Sequence, residues 1–154
     1  MRGLPERMVQ ALRGALSVPS ERALPSGGWI PARVRAAAEE LAPEARSVLE
    51  VGCGEGLFLE RVLRNRHPSR LAGVEIDPAQ MTRARARLGS AAEIGPEFPS
   101  DPFDTVVCIN VLQGVGSSIA RDVLIRRCVG ALRPGGRLII EARNAWNPLL
   151  NLWY

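Results

Sequence analysis

Residues 47–58, SVLEVGCGEGLF, decide how the rest of this chain is read. Ser47 to Val51 is a short β-rich run, Gly52 follows it, and two more glycines come at alternate positions. From Gly56 to about Asn65 the pattern turns helical. A strand that enters a glycine-rich turn and leaves as a helix opens a βαβ unit. In doubly wound sheets that turn sits at the carboxyl end of the strand, where ligands bind. Glycine tolerates left-handed backbone and lets a ligand approach the main chain without meeting a Cβ. The spacing is G-x-G-x-G, whereas a dinucleotide fingerprint needs G-x-G-x-x-G. Counting from Gly52, the third glycine position of that fingerprint holds Leu57, which weakens a pyrophosphate reading.

Outward from this turn, strands and helices alternate. Leu71 to Ile76 reads as a second strand, and Asp77 with Pro78 suits the N-cap and first turn of a helix running to Leu88 and stopping at Gly89. Ala91 to Ile94 is a short strand candidate, and Thr105 to Ile109 is a clear apolar strand. Ser118 to Leu132 has helical spacing, with Val123, Leu124, Cys128 and Leu132 apolar. Arg133 to Gly136 reads as a turn and Arg137 to Glu141 as a strand. The strands are continuous apolar runs rather than polar–apolar alternations, so the expected class is α/β: a doubly wound, mostly parallel sheet of about five strands with helices on both faces. Before it, residues 6–16 form an amphipathic helix candidate (Leu4, Met8, Leu12 and Leu16 share a stripe), to be packed on the domain surface or used as a lid. Pro19 to Pro31 is loop, and a helix is expected from Ala32 to about Leu41. The domain organisation that follows is an N-terminal helix and loop at 1–30, a core at 31–142 and an apolar tail at 143–154.

With 154 residues, 46% apolar and 23% charged, the chain can bury a core without a disulfide scaffold, and wholesale disorder is excluded. No run of about 18 uncharged apolar residues exists to cross a membrane. The net charge is +4 and every basic residue is Arg; spread among 16 acids, these read as a solvated surface, and no basic–aromatic constellation argues for nucleic acid. Three cysteines without a C-x-x-C pair suggest neither disulfides nor a metal site and fit a reducing cytoplasm. The single histidine, His67, follows the helix that leaves the glycine turn, so it is expected on the surface away from a ligand. Arg83, Arg85 and Arg87 alternate along a helix and are expected to fan out into solvent.

Four segments together resemble the class I S-adenosylmethionine-dependent methyltransferases, over about Arg46 to Glu141. EVGCGEG (50–56) resembles the glycine-rich first motif, GVEIDP (73–78) the ribose-binding segment, FDTVVCINVLQGV (103–115) the fourth strand and its loop, and LRPGGRLII (132–140) the turn and fifth strand. The resemblance implies a Rossmann-like fold, S-adenosyl-L-methionine as cofactor, and methyl transfer to a small-molecule or lipid-like acceptor. It implies that Gly52, Gly54 and Gly56 hug the methionine part of the cofactor, with Cys53 between them as an unreactive member of the loop. Glu50 would orient that loop or a water at the amino group, or simply satisfy loop amides. Glu75 would grip the ribose, Ile76 would press on the adenine, and Asn110, Val111 and Leu112 would wall the transferring methyl. No catalytic base and no metal ligand is singled out.

The chain departs from the resemblance in two places. The acid or amide expected after the third strand is not fixed: Glu93, Glu97 or neither fills it. The family's sheet has seven strands, but only residues 141–154 follow Ile140, so the sheet is expected to be truncated at its C-terminal side. The fifth strand would then be an edge that the tail, a second copy or a partner chain covers. The tail's Trp146, Leu149, Leu150, Leu152 and Trp153 could instead build an apolar acceptor pocket. Two other readings stand beside the enzyme: a non-catalytic, methyltransferase-like partner subunit or truncated fragment, and an NAD-dependent oxidoreductase. The glycine spacing and the lack of a Tyr-x-x-x-Lys pair count against the oxidoreductase.

Overall fold

A computed structural model of the protein describes residue 41 and residues 44–141. The expected N-terminal helices, the boundary at residue 30 and the tail 143–154 lie outside the described residues. Within them the chain runs β1 (Ser47–Val51), α1 (Leu57–Arg66), β2 (Arg70–Val74), α2 (Pro78–Leu88), β3 (Glu93–Gly95), β4 (Phe103–Ile109), α3 (Ser118–Gly130) and β5 (Leu132–Glu141). Short 3-10 turns occupy Gly89–Ala91 and Leu112–Gly114. The five strands form one sheet in the order β3-β2-β1-β4-β5, and each neighbouring pair is parallel. This is the α/β, doubly wound, Rossmann-like architecture expected from the alternating pattern.

Register explains why the strands read as unbroken apolar runs. Leu49 stands opposite Ala72 on β2 and Val106 on β4, while Val48 stands opposite Leu71. Alternate residues of a strand point to opposite faces, and both faces are covered. Val48, Leu71, Val107 and Ile109 pack with Phe58, Leu59 and Val62 of α1, Ala84 and Leu88 of α2, and Leu41. Leu49, Val51, Ala72, Val74, Val106 and Cys108 pack on the other face with Leu124 and Cys128 of α3. Phe58, Leu49 and Val106 are wholly out of solvent.

The helix ends follow local chemistry. Asp77 caps α2 by accepting from the Ala79 and Gln80 amides at 2.8 and 3.3 Å, and Gly89 ends that helix with φ 55°. Ser117 caps α3 through the Ala120 amide at 3.1 Å. Two expectations shift. The helix over 118–132 stops at Gly130, because the Ala131 carbonyl accepts from the Phe103 amide at 2.8 Å and Leu132 already pairs with Phe103. The segment 133–136 is not a turn before β5 but a bulge inside it: Leu132 to Arg137 on β5 opposes only Phe103 to Thr105 on β4. Gly135, at φ 78°, takes the left-handed conformation that lets the extra residues loop out.

At the amino ends of the strands Asp104 ties β4 to β1. Its Oδ2 accepts from the Arg46 and Ser47 amides at 2.6 and 2.9 Å, and its Oδ1 lies 2.7 Å from Arg133 Nε. Burial alone would raise this carboxyl, but the two amide bonds and the Arg133 charge outweigh it and hold it below the usual range. This clamp fixes the closed end of the sheet and leaves the carboxyl ends to the loops.

Candidate functional site

The chain leaves β1 toward β2 and β3 on one side, and reaches β4 and β5 on the other. The carboxyl ends of β1 and β4 therefore flank the point where strand order reverses, which is where open α/β sheets bind ligands. The expected site residues come together there: the glycine loop after β1, Glu75 and Ile76 after β2, and Asn110, Val111 and Leu112 after β4.

Main-chain bonds hold the loop tightly against β2. The Gly52 and Cys53 amides both donate to the Val74 carbonyl, at 2.8 and 3.0 Å. The Gly54 amide donates to Glu75 Oε2 at 2.8 Å, and the Gly56 amide donates to the Cys53 carbonyl at 2.8 Å. Gly52 has φ 73°, and a Cβ there would overlap a Val111 methyl. The β1 loop and the β4 loop thus touch only because residue 52 has no side chain. Gly56 does a different job from the one its spacing suggests. It is buried, and a Cβ on it would lie 2.9 Å from Leu88 Cδ1 and 3.4 Å from Ala84 Cβ of α2. It lets the start of α1 pack on α2, a packing role like that of the third glycine of a dinucleotide fingerprint, which instead brings helix close to strand. Gly52 and Gly54 are the half-buried glycines of the loop.

Two carboxylates lie in or beneath the loop. Glu75 is 8% exposed. Besides Gly54, it accepts from the Ile76 and Asp77 amides through Oε1, at 2.8 and 2.9 Å. Its three amide bonds leave one lone pair of Oε2 uncommitted. Glu50 projects from β1 toward the face packed by α1 and α2, is 5% exposed, and its Oε2 has no hydrogen-bond partner. Burial, and then the charge of Glu75, push the Glu50 carboxyl well above the ordinary carboxylate range. It is Glu75, rather than Glu50, that takes the Gly54 amide, so the loop-satisfying role left open for Glu50 passes to its neighbour. A buried acceptor without a partner costs about 1–3 kcal/mol, more if charged, so it marks a place where a donor belongs.

Cys53 is buried, and a Cβ added to Gly73 would lie 2.6 Å from its sulfur. Burial first, and then Glu50 and Glu75, push its thiol up. An electronegative pocket keeps this sulfur protonated and unreactive. On the β4 side Asn110 takes a left-handed φ of 59°. Its amide donates to Glu141 Oε2 at 2.9 Å, and its side-chain oxygen accepts from Gln113 Nε2. Glu141 and Gln113 are members that sequence reasoning misses. Glu141 stands opposite Ile109 in register, so a carboxylate at the last position of an apolar strand is the available signal.

The remaining candidates separate from the site. His67 is exposed at the far end of α1. Glu93 pairs with Arg70 at 3.6 Å and Glu97 with Arg127 at 3.8 Å, both largely in solvent. Among the described residues no cluster could hold a metal ion, and no helix is long and apolar enough to cross a membrane. The three cysteines are buried and free of disulfides. The arginines of α2 do not simply fan into solvent: Arg83 pairs with Glu55 at 2.7 Å, Arg85 donates to the Ile94 carbonyl at 2.8 Å, and Arg87 donates to the Glu55 carbonyl at 2.9 Å.

A glycine cradle at the switch point of a 3-2-1-4-5 parallel sheet, with carboxylates at the ends of its first two strands, defines a nucleoside-cofactor domain of the methyltransferase kind. Residues 49–138 match the model of the methyltransferase domain family, and the chain belongs to that family. It is 30% identical over 125 residues to a ubiquinone biosynthesis O-methyltransferase of Xanthomonas euvesicatoria, a match covering 74% of this chain and 50% of the relative. Among solved structures, a sugar N-methyltransferase of Streptoalloteichus is 29% identical, with a TM-score of 0.62 over 75% of this chain and 47% of that one. An amino pentose methyltransferase of Micromonospora echinaspora, solved with S-adenosylmethionine bound, has the same fold at 22% identity. Its TM-score is 0.67 over 97% of this chain and 61% of that one. The chain spans about half the length of the curated relatives it matches.

Proposed function

We propose that the chain binds S-adenosyl-L-methionine at the carboxyl ends of β1, β2 and β4 and serves methyl transfer to a small-molecule acceptor. The observation that carries this is Glu50: a buried carboxylate with an unpartnered oxygen, next to a glycine loop at the switch point. A cationic amino group is the donor that such an acceptor lacks. Gly52 and Gly54 would lie along the methionine part, with Cys53 and Gly56 shaping the loop behind them. Glu75 would take a ribose hydroxyl on the uncommitted lone pair of Oε2. Ile76 would lie against the adenine, and Asn110, Val111 and Leu112 would wall the methyl. When bound, the cofactor supplies an electrophilic methyl on a sulfonium.

This chain's own residues align and desolvate. Alignment of two reactants can lower a barrier by about 7–11 kcal/mol, so methyl transfer to a nucleophilic acceptor asks little more of the protein. Glu75 places negative charge beside a ligand of net positive charge, and Glu50, protonated while its site is empty, would add to it by yielding its proton as the cation arrives, while Cys53, held as a thiol, does not compete as a nucleophile. The relatives' names speak of transfer to oxygen and to nitrogen, so phenols, amines and amino sugars form the first acceptor panel; apolar and lipid-like members extend it. The buried, unpaired thiols suit a reducing cytoplasm. The test is equilibrium binding of labelled cofactor, followed by label transfer to the panel. Folded protein that binds no cofactor at millimolar concentration would falsify the proposal.

A further inference from the structure

We propose that Arg87 is a positioning residue for the cofactor loop, acting through the Glu55 main chain. Glu55 lies between Gly54 and Gly56, at φ 53° and 79°, the most permissive stretch of backbone in the loop. The Gly56 amide closes this turn on the Cys53 carbonyl, but that bond does not hold the Glu55 carbonyl, and the flanking glycines leave it a wide choice of backbone angles. Arg87 fixes it from outside. Its Nε donates to the Glu55 carbonyl at 2.9 Å, its NH1 reaches Glu60 Oε2 of α1 at 3.1 Å, and its NH2 lies 3.9 Å from Glu55 Oε2. Arg83 holds the other carboxylate oxygen of Glu55 at 2.7 Å. One guanidinium thus ties the loop to α1 and α2 at once, which a planar fork of donors can do and an ammonium cannot.

The same helix begins at Asp77, immediately after Glu75 and Ile76. The loop is therefore held at two adjacent residues: by Glu75 Oε2, just ahead of α2, on the Gly54 amide, and by Arg87, in the last turn of α2, on the Glu55 carbonyl. Isolated surface ion pairs contribute little. This one is different in kind, because one of its bonds goes to a main-chain carbonyl and its partners share donors. Its consequence falls on cofactor affinity rather than on the transfer step. If release of Arg87 leaves the loop correctly placed about one-tenth of the time, apparent affinity falls about tenfold.

The inference rests on the cofactor reading above, and the experiment separates the two. Arg87→Ala, Arg87→Lys and Arg64→Ala are prepared in the full chain; Arg64 pairs with Glu60 on the outer side of the same network. Hydrogen exchange at the Gly54 and Gly56 amides is followed without ligand, with the β4 amides as the check on folding. S-adenosylhomocysteine binding is measured by calorimetry. Expected are faster exchange at Gly54 and Gly56 and about tenfold weaker binding for Arg87→Ala, intermediate values for Arg87→Lys, and neither change for Arg64→Ala. Unchanged loop exchange in Arg87→Ala, or equal effects of Arg64→Ala, overturns it. If the wild-type chain fails to bind the ligand, the cofactor reading falls, and the exchange comparison still decides whether Arg87 holds the loop.

Discussion

Gly52→Ala separates two costs that the glycine loop combines. The first is conformational: at φ 73°, alanine sits in left-handed backbone, which costs about 1–2 kcal/mol. The second is steric: the new Cβ overlaps a Val111 methyl across the β1–β4 junction, and forcing an extra carbon into packed structure costs about 1–3 kcal/mol. The single variant is therefore expected to lose about 2–5 kcal/mol. Trimming the neighbour removes the second cost only. In a Val111→Ala background, Gly52→Ala should cost about 1–2 kcal/mol, so the cycle should show a coupling of about 1–3 kcal/mol. Gly54→Ala is the internal comparison, because its Cβ would meet only the Gln80 side-chain oxygen, at 3.0 Å. That oxygen can swing aside, so the conformational cost alone is expected. Any gain from stiffening the unfolded chain is common to the glycine substitutions and cancels in the cycle. Urea denaturation of the five proteins gives the numbers. Equal costs of Gly52→Ala in the two backgrounds would show that residues 52 and 111 do not meet, and the packed junction between the two site loops would be wrong.

Three further outcomes follow from the carboxylates. Glu50 keeps its proton in the folded state at pH values where the unfolded chain has lost it, so stability falls as pH rises from the ordinary carboxylate pKa to the raised folded one, then levels off. Within that window the loss is about 1.4 kcal/mol for each tenfold fall in proton concentration. Denaturation followed upward in pH from the ordinary carboxylate range should show this fall in the wild type and not in Glu50→Gln; parallel profiles would contradict it. Asp104 works in the opposite sense. Its folded pKa is held down, so its contribution is present above the ordinary value and is lost as pH falls through the folded one. Asp104→Asn should flatten that acid limb and cost about 1–2 kcal/mol at neutral pH, and an unchanged acid midpoint would refute it. Glu75→Ala strips an acceptor from the Gly54, Ile76 and Asp77 amides. It should cost at least about 2 kcal/mol by the same denaturation assay, with Glu75→Gln closer to wild type because an amide keeps one accepting oxygen. Equal stability of the alanine and wild-type proteins would exclude the bonding described.

Much of the fold is legible because the sheet is buried on both sides. Val48, Leu49 and Val51, or Val106, Val107 and Cys108, can be apolar in sequence only if both faces are covered, and α1, α2 and α3 cover them. Asp77-Pro78 and Gly89 set the limits of α2 by their own chemistry. What is not legible depends on partners distant in sequence. The bulge in β5 exists because Leu132 pairs with Phe103 while Arg137 pairs with Thr105, and nothing in Arg-Pro-Gly-Gly alone distinguishes that from a free turn. Gly56 reads as a third ligand-facing glycine, and only the position of Ala84 and Leu88 reveals it as a packing glycine. The arginines of α2 read as solvated because a helix periodicity says which residues share a face, not which carbonyl lies across from it. At the site, the residue types and their strand ends are readable, whereas the lone oxygen of Glu50 and the three amides on Glu75 require coordinates.

The carboxyl ends of β1, β2 and β4 are held to form one adenosyl-cofactor cradle, and everything proposed for the chain depends on that. Titration of the isotopically labelled protein with S-adenosylhomocysteine, read by amide chemical shifts, tests it most directly. Saturable shifts are expected at Gly52, Gly54, Glu75, Ile76 and Asn110, with His67 and Arg133 at the opposite end of the sheet unmoved. A folded protein whose spectrum stays unchanged at millimolar ligand, or whose shifts gather around the Asp104 clamp, would contradict it.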